Sequence, residues 1–278
     1  MVEKQGLGRW LIHGALILGI ALVCFPLWFA FVASTVEQAD IVRPPLPLIP
    51  GPHMIENYTR ALFSGVQVPV WLMLLNSTIM ALGITVGKIV ISIVSAYAIV
   101  YFRFPFRMGF FWLIFITLML PVEVRIVPTF EVVAGFGMLN SHTGLILPLI
   151  ASATATFLFR QLFLTIPDEL TEAARIDGAG PIRFFRDILL PMSVTNIAAL
   201  FVILFIYGWN QYLWPLLITT RPEMSTIVVG VKQMIPGGDD IADWPVIMAA
   251  AMLAMLPPVA VVVFMQSLFV KGLVESEK

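Results

Sequence analysis

Glu172-Ala173-Ala174-Arg175-Ile176-Asp177-Gly178, followed by Ile188-Leu189-Leu190-Pro191, is a charged stretch set between long apolar segments. A chain that only had to cross a bilayer would have no reason to carry it. Pro167 is expected near the start of a short helix, with Asp168 and Glu169 in its first turn, where carboxylates complement the helix dipole. Glu172, Ala173 and Ala174 continue that helix, alanine being the strongest helix former. Gly178 then supplies a break through left-handed backbone. A second helical piece is expected from Ile182 to Leu190, with Ile182, Phe185, Ile188 and Leu189 on one face. Arg183, Arg186 and Asp187 fall largely on the other, and Pro191 ends it. Composition leaves two readings open. One is a short rigid lever whose two alanines allow close approach; the other is an amphipathic loop lying on a membrane surface, helped by its basic residues.

Outward from this stretch the chain is apolar. It has 278 residues, 59% hydrophobic and 12% charged, with mean hydropathy +0.95. Soluble domains are about 45–50% apolar and about 25% charged, so a bilayer is the expected solvent. A span needs roughly 20 mostly apolar residues. Six segments qualify, at about 10–34, 70–101, 107–129, 143–164, 194–218 and 246–269, and the expected class is an all-α integral membrane domain over residues 1–278. The first run is far longer than the ~7–15-residue core of a cleavable signal and is read as an uncleaved helix. Pro121, Pro128, Pro191 and Pro215 in or beside the third and fifth spans predict kinks. Gly83 and Gly87, four apart in the second span, predict a face that another helix approaches closely.

Orientation follows from the cations. With both termini cytoplasmic, that side holds ten (Lys4, Arg9, Arg103, Arg107, Arg160, Arg175, Arg183, Arg186, Lys271, Lys278) against four outside (Arg43, Arg60, Arg221, Lys232). Residues 165–193 are then cytoplasmic, and two long loops, 35–69 and 219–245, lie outside. The first holds Pro44-Pro45-Leu46-Pro47 and Ile49-Pro50-Gly51-Pro52, which favour extended backbone and turns. Both loops suit either a docking partner or plain connection.

The positions Glu172, Ala173, Ala174, Gly178, Ile188, Leu190 and Pro191 fill the signature of the permeases of ABC importers, and the chain resembles that family. The ending Gln266-Ser267-Leu268-Phe269-Val270-Lys271-Gly272-Leu273 is similar to that of the smaller permease of carbohydrate-type importers. Within that group the likeness is to sn-glycerol-3-phosphate permeases, carried by Thr117–Ile126, Ala151–Phe157 and Tyr207–Pro215. The resemblance implies a six-transmembrane-helix type I importer permease in the bacterial inner membrane. It further implies a second permease subunit, an ATPase homodimer holding ATP and Mg, and a periplasmic substrate-binding protein. Glu172, Ala173, Ala174, Asp177 and Gly178 would couple to the ATPase. Imported sn-glycerol-3-phosphate, with glycerophosphodiesters as a possible extension, is the implied cargo; a sugar or oligosaccharide cargo is the near alternative. An ion-coupled secondary transporter is the different-class alternative, and it would display carboxylates deep in its spans.

Several polar residues stand out in the spans. Lys88, near the middle of the second, should face the bundle or a watery cavity, either pairing with another helix or lining a path for an anionic cargo. Trp209, Asn210, Gln211 and Tyr212 suit a polyol or sugar-like ligand, or an interfacial aromatic belt. Glu123 and Arg125, flanking the outer part of the third span, are expected as a structural pair at the water interface, with a gate or substrate contact as the alternative, and Asn76, Ser77 and Thr78 as packing or capping groups. Cys24, the single cysteine, excludes an internal disulfide framework and is expected as a small buried packing residue. His13, His53 and His142 lack metal-ligand spacing, and nothing resembles a triad or a carboxylate dyad, so no catalytic or metal residue is assigned. Gly83-Ile84-Thr85-Val86-Gly87-Lys88-Ile89 is one residue short of a phosphate loop and lacks the hydroxyl after its lysine, so no cofactor is expected on this chain. A net charge of −1 argues against nucleic acid as partner and leaves lipid.

Overall fold

The computed structural model describes residues 7–65, 67–117, 122–237 and 241–275, with side chains from Trp10 to Gln266 apart from Val122 and Glu123. The side chains of Lys4, Arg9, Pro121, Glu123, Asp239, Asp240, Lys271, Lys278 and the ending Ser267–Leu273 lie outside the described residues.

The described chain is helical. In order it forms α1 (Leu7–Ala33), α2 (Gln38–Val42), α3 (Met54–Thr59), α4 (Val70–Tyr101), α5 (Arg107–Ile116), α6 (Val122–Gly135), α7 (His142–Ile146) and α8 (Ala153–Leu164). There follow α9 (Asp168–Ile176), α10 (Pro181–Phe184), α11 (Leu190–Met192), α12 (Val194–Trp209), α13 (Leu213–Ile218), α14 (Ile227–Gln233) and α15 (Trp244–Glu275). Three stretches are long and apolar enough to cross a membrane: Trp10–Ala33, Val70–Tyr101 and Trp244–Gln266. Two further pairs become spans only if a bend is accepted, of 48° between His142–Leu149 and Ala153–Leu164 and of 70° between Pro181–Met192 and Val194–Trp209.

The expected spans at 107–129, 143–164 and 194–218 are therefore not single helices. In 107–129, α5 is only 10 residues long and α6 begins anew at Val122. In 143–164 the chain tightens at Leu147–Leu149, where Pro148 cannot donate, and restarts at Ser152, whose hydroxyl accepts from the Ala155 amide at 3.2 Å. In 194–218 the helix stops after Trp209 and resumes at Leu213, because Pro215 cannot donate to the carbonyl four residues back. The Gln211 amide donates to the Tyr207 carbonyl at 3.1 Å, satisfying a group the break leaves open.

The chain divides into two compact units. In the first (1–72 with 230–256), residues 43–53 are irregular, as their prolines predict, yet firmly tied. Asn57 donates to the carbonyls of Ser34 (3.1 Å) and Val36 (2.9 Å), and the Gly51 amide donates to Thr35 Oγ1 at 2.9 Å. Gln38 donates to Ala242 O (2.7 Å) and accepts from the Trp244 amide (3.0 Å), while Arg60 pairs with Asp243. The start of α15 is thus tied to the segment after α1. Cys24 is exposed, contrary to expectation, because the apolar run Trp10–Phe25 of α1 packs on almost nothing in its own chain.

In the second unit (73–229 with 257–278) α4 is the central post. Met80 and Ile84 pack with Ile126 and Val133 of α6, Leu145 of α7 and Trp214 and Ile218 of α13. Lower on α4, Ile89, Ile93 and Ala96 pack with Phe159 and Phe163 of α8, Leu200 and Leu204 of α12, and Ala174, Phe184 and Leu189. The small-residue face behaves as expected. A Cβ at Gly83 would lie 2.6 Å from Ile146 Cδ1, and one at Gly87 2.5 Å from Ile150 Cγ2. Asn76, Ser77 and Thr78 are packing groups as expected. Asn76 donates to the carbonyls of Glu223 (2.8 Å) and Ser225 (3.1 Å), Ser77 Oγ accepts from the Ile227 amide (2.7 Å), and Thr78 donates to Leu74 O.

Candidate functional site

The stretch at 165–193 folds as two short helices about a turn. Pro167 precedes α9, with Asp168 and Glu169 in the first turn and Arg175 in the last, complementing the dipole at both ends. Gly178 sits at φ +70°, a left-handed conformation that glycine takes without a Cβ penalty. The Ala179 amide then reaches back to Ala174 O at 2.8 Å and closes the turn. The second piece runs from Pro181 to Met192, with a π-helical turn over Phe185–Leu189.

Pro191 does not end that helix. The π turn shifts the register upstream, Pro191 enters the first turn of α11 where no N–H is needed, and the chain bends at Ser193 instead. Ser193 Oγ donates to Leu189 O at 2.6 Å, binding the bend to the π turn before it.

Burial sorts the signature residues. Glu172, Ala173, Asp177 and Gly178 are exposed, whereas Ala174 is buried in the core beside Phe163 and Phe184. Only one of the two alanines is thus open to a partner. The buried face of the second helix matches expectation in part: Leu189 is buried and Phe185 and Ile188 pack beside it, but Phe184 is buried too and Ile182 is 83% exposed. Ile176 is 85% exposed just before the turn. Two exposed isoleucines thus flank the glycine turn, which helical spacing alone did not reveal. The signal available was an isoleucine four residues after Glu172 in an otherwise charged stretch. On the polar side, Arg186 Nε donates to Asp187 at 2.7 Å and Arg183 lies 3.5 Å from it. The Arg186 hydrogen bond, foremost, holds the exposed Asp187 carboxyl below the usual carboxylate range.

The turn is wired to the spans. Tyr97 of α4 donates to Pro181 O at 2.9 Å, and its ring lies 5.0 Å from that of Phe185. Tyr101 stacks edge-on to Phe184 at 5.3 Å and donates to Phe163 O. A cavity of about 320 Å³, lined in part by Tyr97, Tyr101, Arg103 and Arg175, opens between them.

Of the polar residues singled out in the spans, some meet and some do not. Lys88 is 7% exposed and its Nζ lies 3.9 Å above the Tyr207 ring, whose backbone carbonyl takes the Gln211 amide. Trp209 is buried and stacked on Phe205 at 5.8 Å, a packing position. Asn210 and Tyr212 are exposed at the helix break. Tyr207 was missed; it stands one helical turn before Gln211, the only hint in the sequence. Among the described residues no three of His, Cys, Asp and Glu gather as a metal site.

Residues 88–275 match the family model described as "Binding-protein-dependent transport system inner membrane component". The chain belongs to this family. It is a multi-pass inner-membrane transport permease, not an enzyme, and works in a system that depends on a binding protein. A secondary transporter acting alone is thereby set aside. The chain is 60% identical over 282 residues, the whole of both chains, to the "sn-glycerol-3-phosphate transport system permease protein UgpE" of Agrobacterium fabrum. The proteins of the same name from Rhizobium meliloti and Salmonella typhi are 59% identical over all of both chains and 61% identical over 96% of each. A chain of the "bacterial ABC transporter involved in the import of the acidic polysaccharide alginate" superposes with TM-score 0.81 over 96% of this chain and 99% of that one. At 20% identity that likeness carries the fold alone.

Proposed function

We propose that this permease imports sn-glycerol-3-phosphate as one half of the membrane pathway of an ATP-driven importer. The observation that carries the reading is identity of 58–61% along essentially the full length to permeases named for that cargo. Six spans with both termini in the cytoplasm follow if α5 and α6 together make the third crossing and α12 and α13 the fifth. The 165–193 loop then docks on an ATPase homodimer, with Glu172, Ala173, Asp177 and Gly178 presented outward and Ile176 and Ile182 as apolar contacts. A second permease completes the pathway, and the tied segments around Gln38, Arg60 and Asp243 form a polar outer surface suited to the binding protein.

ATP acts by differential affinity for the two permease conformations. Force on the turn reaches α4 through Tyr97–Pro181 and the ring contacts, and reaches α12 through the π turn and Ser193. Rigid groups of helices can then rock about a central site. Lys88, with Gln211 and the exposed Asn210 and Tyr212, is assigned to the cargo path; Trp209 supports it by packing. Proteoliposomes holding the whole importer, given labelled sn-glycerol-3-phosphate against a sugar panel, test the reading. ATP-dependent uptake competed only by glycerophosphate or its diesters is expected, and uptake of a sugar in its place would overturn the cargo.

A further inference from the structure

Lys88 is a buried cation that, among the described residues, meets an aromatic face and no carboxylate. None of the ion pairs among the described residues includes it. A cation in that position costs about 2.5–3.5 kcal/mol on insertion scales, and the chain offers no described carboxylate to offset it. A second cation stands nearby. Ile126 of α6 is buried against Ile84, one helical turn from Lys88 on α4, and Tyr207 packs on the same cluster. Arg125, the residue before Ile126, is exposed and lies within electrostatic reach of both Lys88 and Tyr207. Its guanidinium has no hydrogen-bond or ion-pair partner among the described residues.

Two like charges approach one another in a low-dielectric setting only at a cost, which a shared anion removes. We propose that Arg125 and Lys88 form a two-cation seat, floored by the Tyr207 ring, for the phosphate of a phosphate ester passing through the permease. The proposal rests on the anionic cargo proposed above and adds Arg125 to the cargo path. The guanidinium fork binds two phosphate oxygens side by side, while the ammonium acts as a point charge. Arg125 therefore orients the phosphate and Lys88 neutralises it. The expected Glu123–Arg125 pairing lies outside the described residues.

The test uses the complete importer, purified and reconstituted, on a Cys24→Ala background. Arg125→Cys is expected to lower sn-glycerol-3-phosphate uptake about tenfold or more, the worth of one hydrogen bond to a charged group. Aminoethyl methanethiosulfonate, which rebuilds a cation on the cysteine, is expected to restore uptake; the neutral methyl reagent is not. Added sn-glycerol-3-phosphate should slow the modification. Arg125→Lys, which keeps the charge and loses the fork, is expected to fall between the cysteine variant and the unsubstituted importer, and serves if the cysteine variant fails to assemble. Equal rescue by both reagents, no loss on substitution, or equal loss in the lysine and cysteine variants would each overturn the seat. Vesicles of phosphatidylcholine alone and with phosphatidylglycerol separate cargo from lipid: a deficit present only with phosphatidylglycerol assigns the anion to a lipid headgroup and overturns the cargo role. If the unsubstituted importer itself takes up no sn-glycerol-3-phosphate, the cargo reading fails first. Normal uptake that ignores the charge at position 125 sinks the seat alone.

Discussion

Lys88 carries the sharpest consequence at the level of a single residue. Its ammonium is buried over the ring of Tyr207 on α12. Lys88→Met keeps the stem and removes the charge, so folding should be unharmed or helped, since a mid-membrane cation costs about 2.5–3.5 kcal/mol. Uptake should nonetheless fall about tenfold or more, in line with loss of one charged contact. Quantitative membrane blotting beside uptake checks both halves, and a fall in protein level with unchanged turnover per molecule would remove Lys88 from the path. That Lys88 needed a partner was legible in the sequence, because charge in an apolar run is costly wherever it occurs. That the partner is an aromatic face, with Arg125 close by, was not, because α4, α6 and α12 are distant in the chain.

Two glycines decide matters for the helices. The face of Gly83 and Gly87 meets Ile146 and Ile150 so closely that any Cβ must displace them. Gly87→Leu is expected to cost about 1–3 kcal/mol by overpacking, seen as a lower midpoint of thermal unfolding in detergent; an unchanged midpoint would mean that the two segments separate freely. Gly178 is the contrary case. Nothing lies within 4 Å of where its Cβ would be, so only the backbone at φ +70° resists substitution. Gly178→Val should cost about 1–2 kcal/mol locally and distort the turn between α9 and α10. ATP hydrolysis by the assembled complex should continue while uptake is lost, and retained uptake would refute coupling through this turn.

Helix presence followed from propensity and apolar length, which are local. Helix continuity did not: Pro148 and Pro215 break 143–164 and 194–218, and the π turn lets Pro191 pass where a stop was expected. A proline marks a lost hydrogen bond, but which neighbour takes up the freed carbonyl is decided by packing.

For the molecule as a whole, orientation is the testable matter. Cys24→Ala should be harmless, since Cys24 lies on the exposed face of α1. On that background a cysteine at Glu172 should react with an impermeant maleimide only from the cytoplasmic side, and one at Glu56 only from outside. Labelling of both from one side would discard the six-span arrangement.

The sequence by itself determined the membrane class, the helical content, the charged turn at 172–178 and the transport family. These rest on composition, on propensity and on a motif that lies within some twenty consecutive residues. Only the tertiary structure decided that Ala174 is buried while Ile176 and Ile182 are exposed, that Cys24 is exposed, and that Lys88 sits over Tyr207. Burial and pairing are properties of surfaces brought together from far along the chain. In a sequence apolar nearly throughout, hydrophobic periodicity cannot tell a face turned to lipid from one turned to a neighbouring helix.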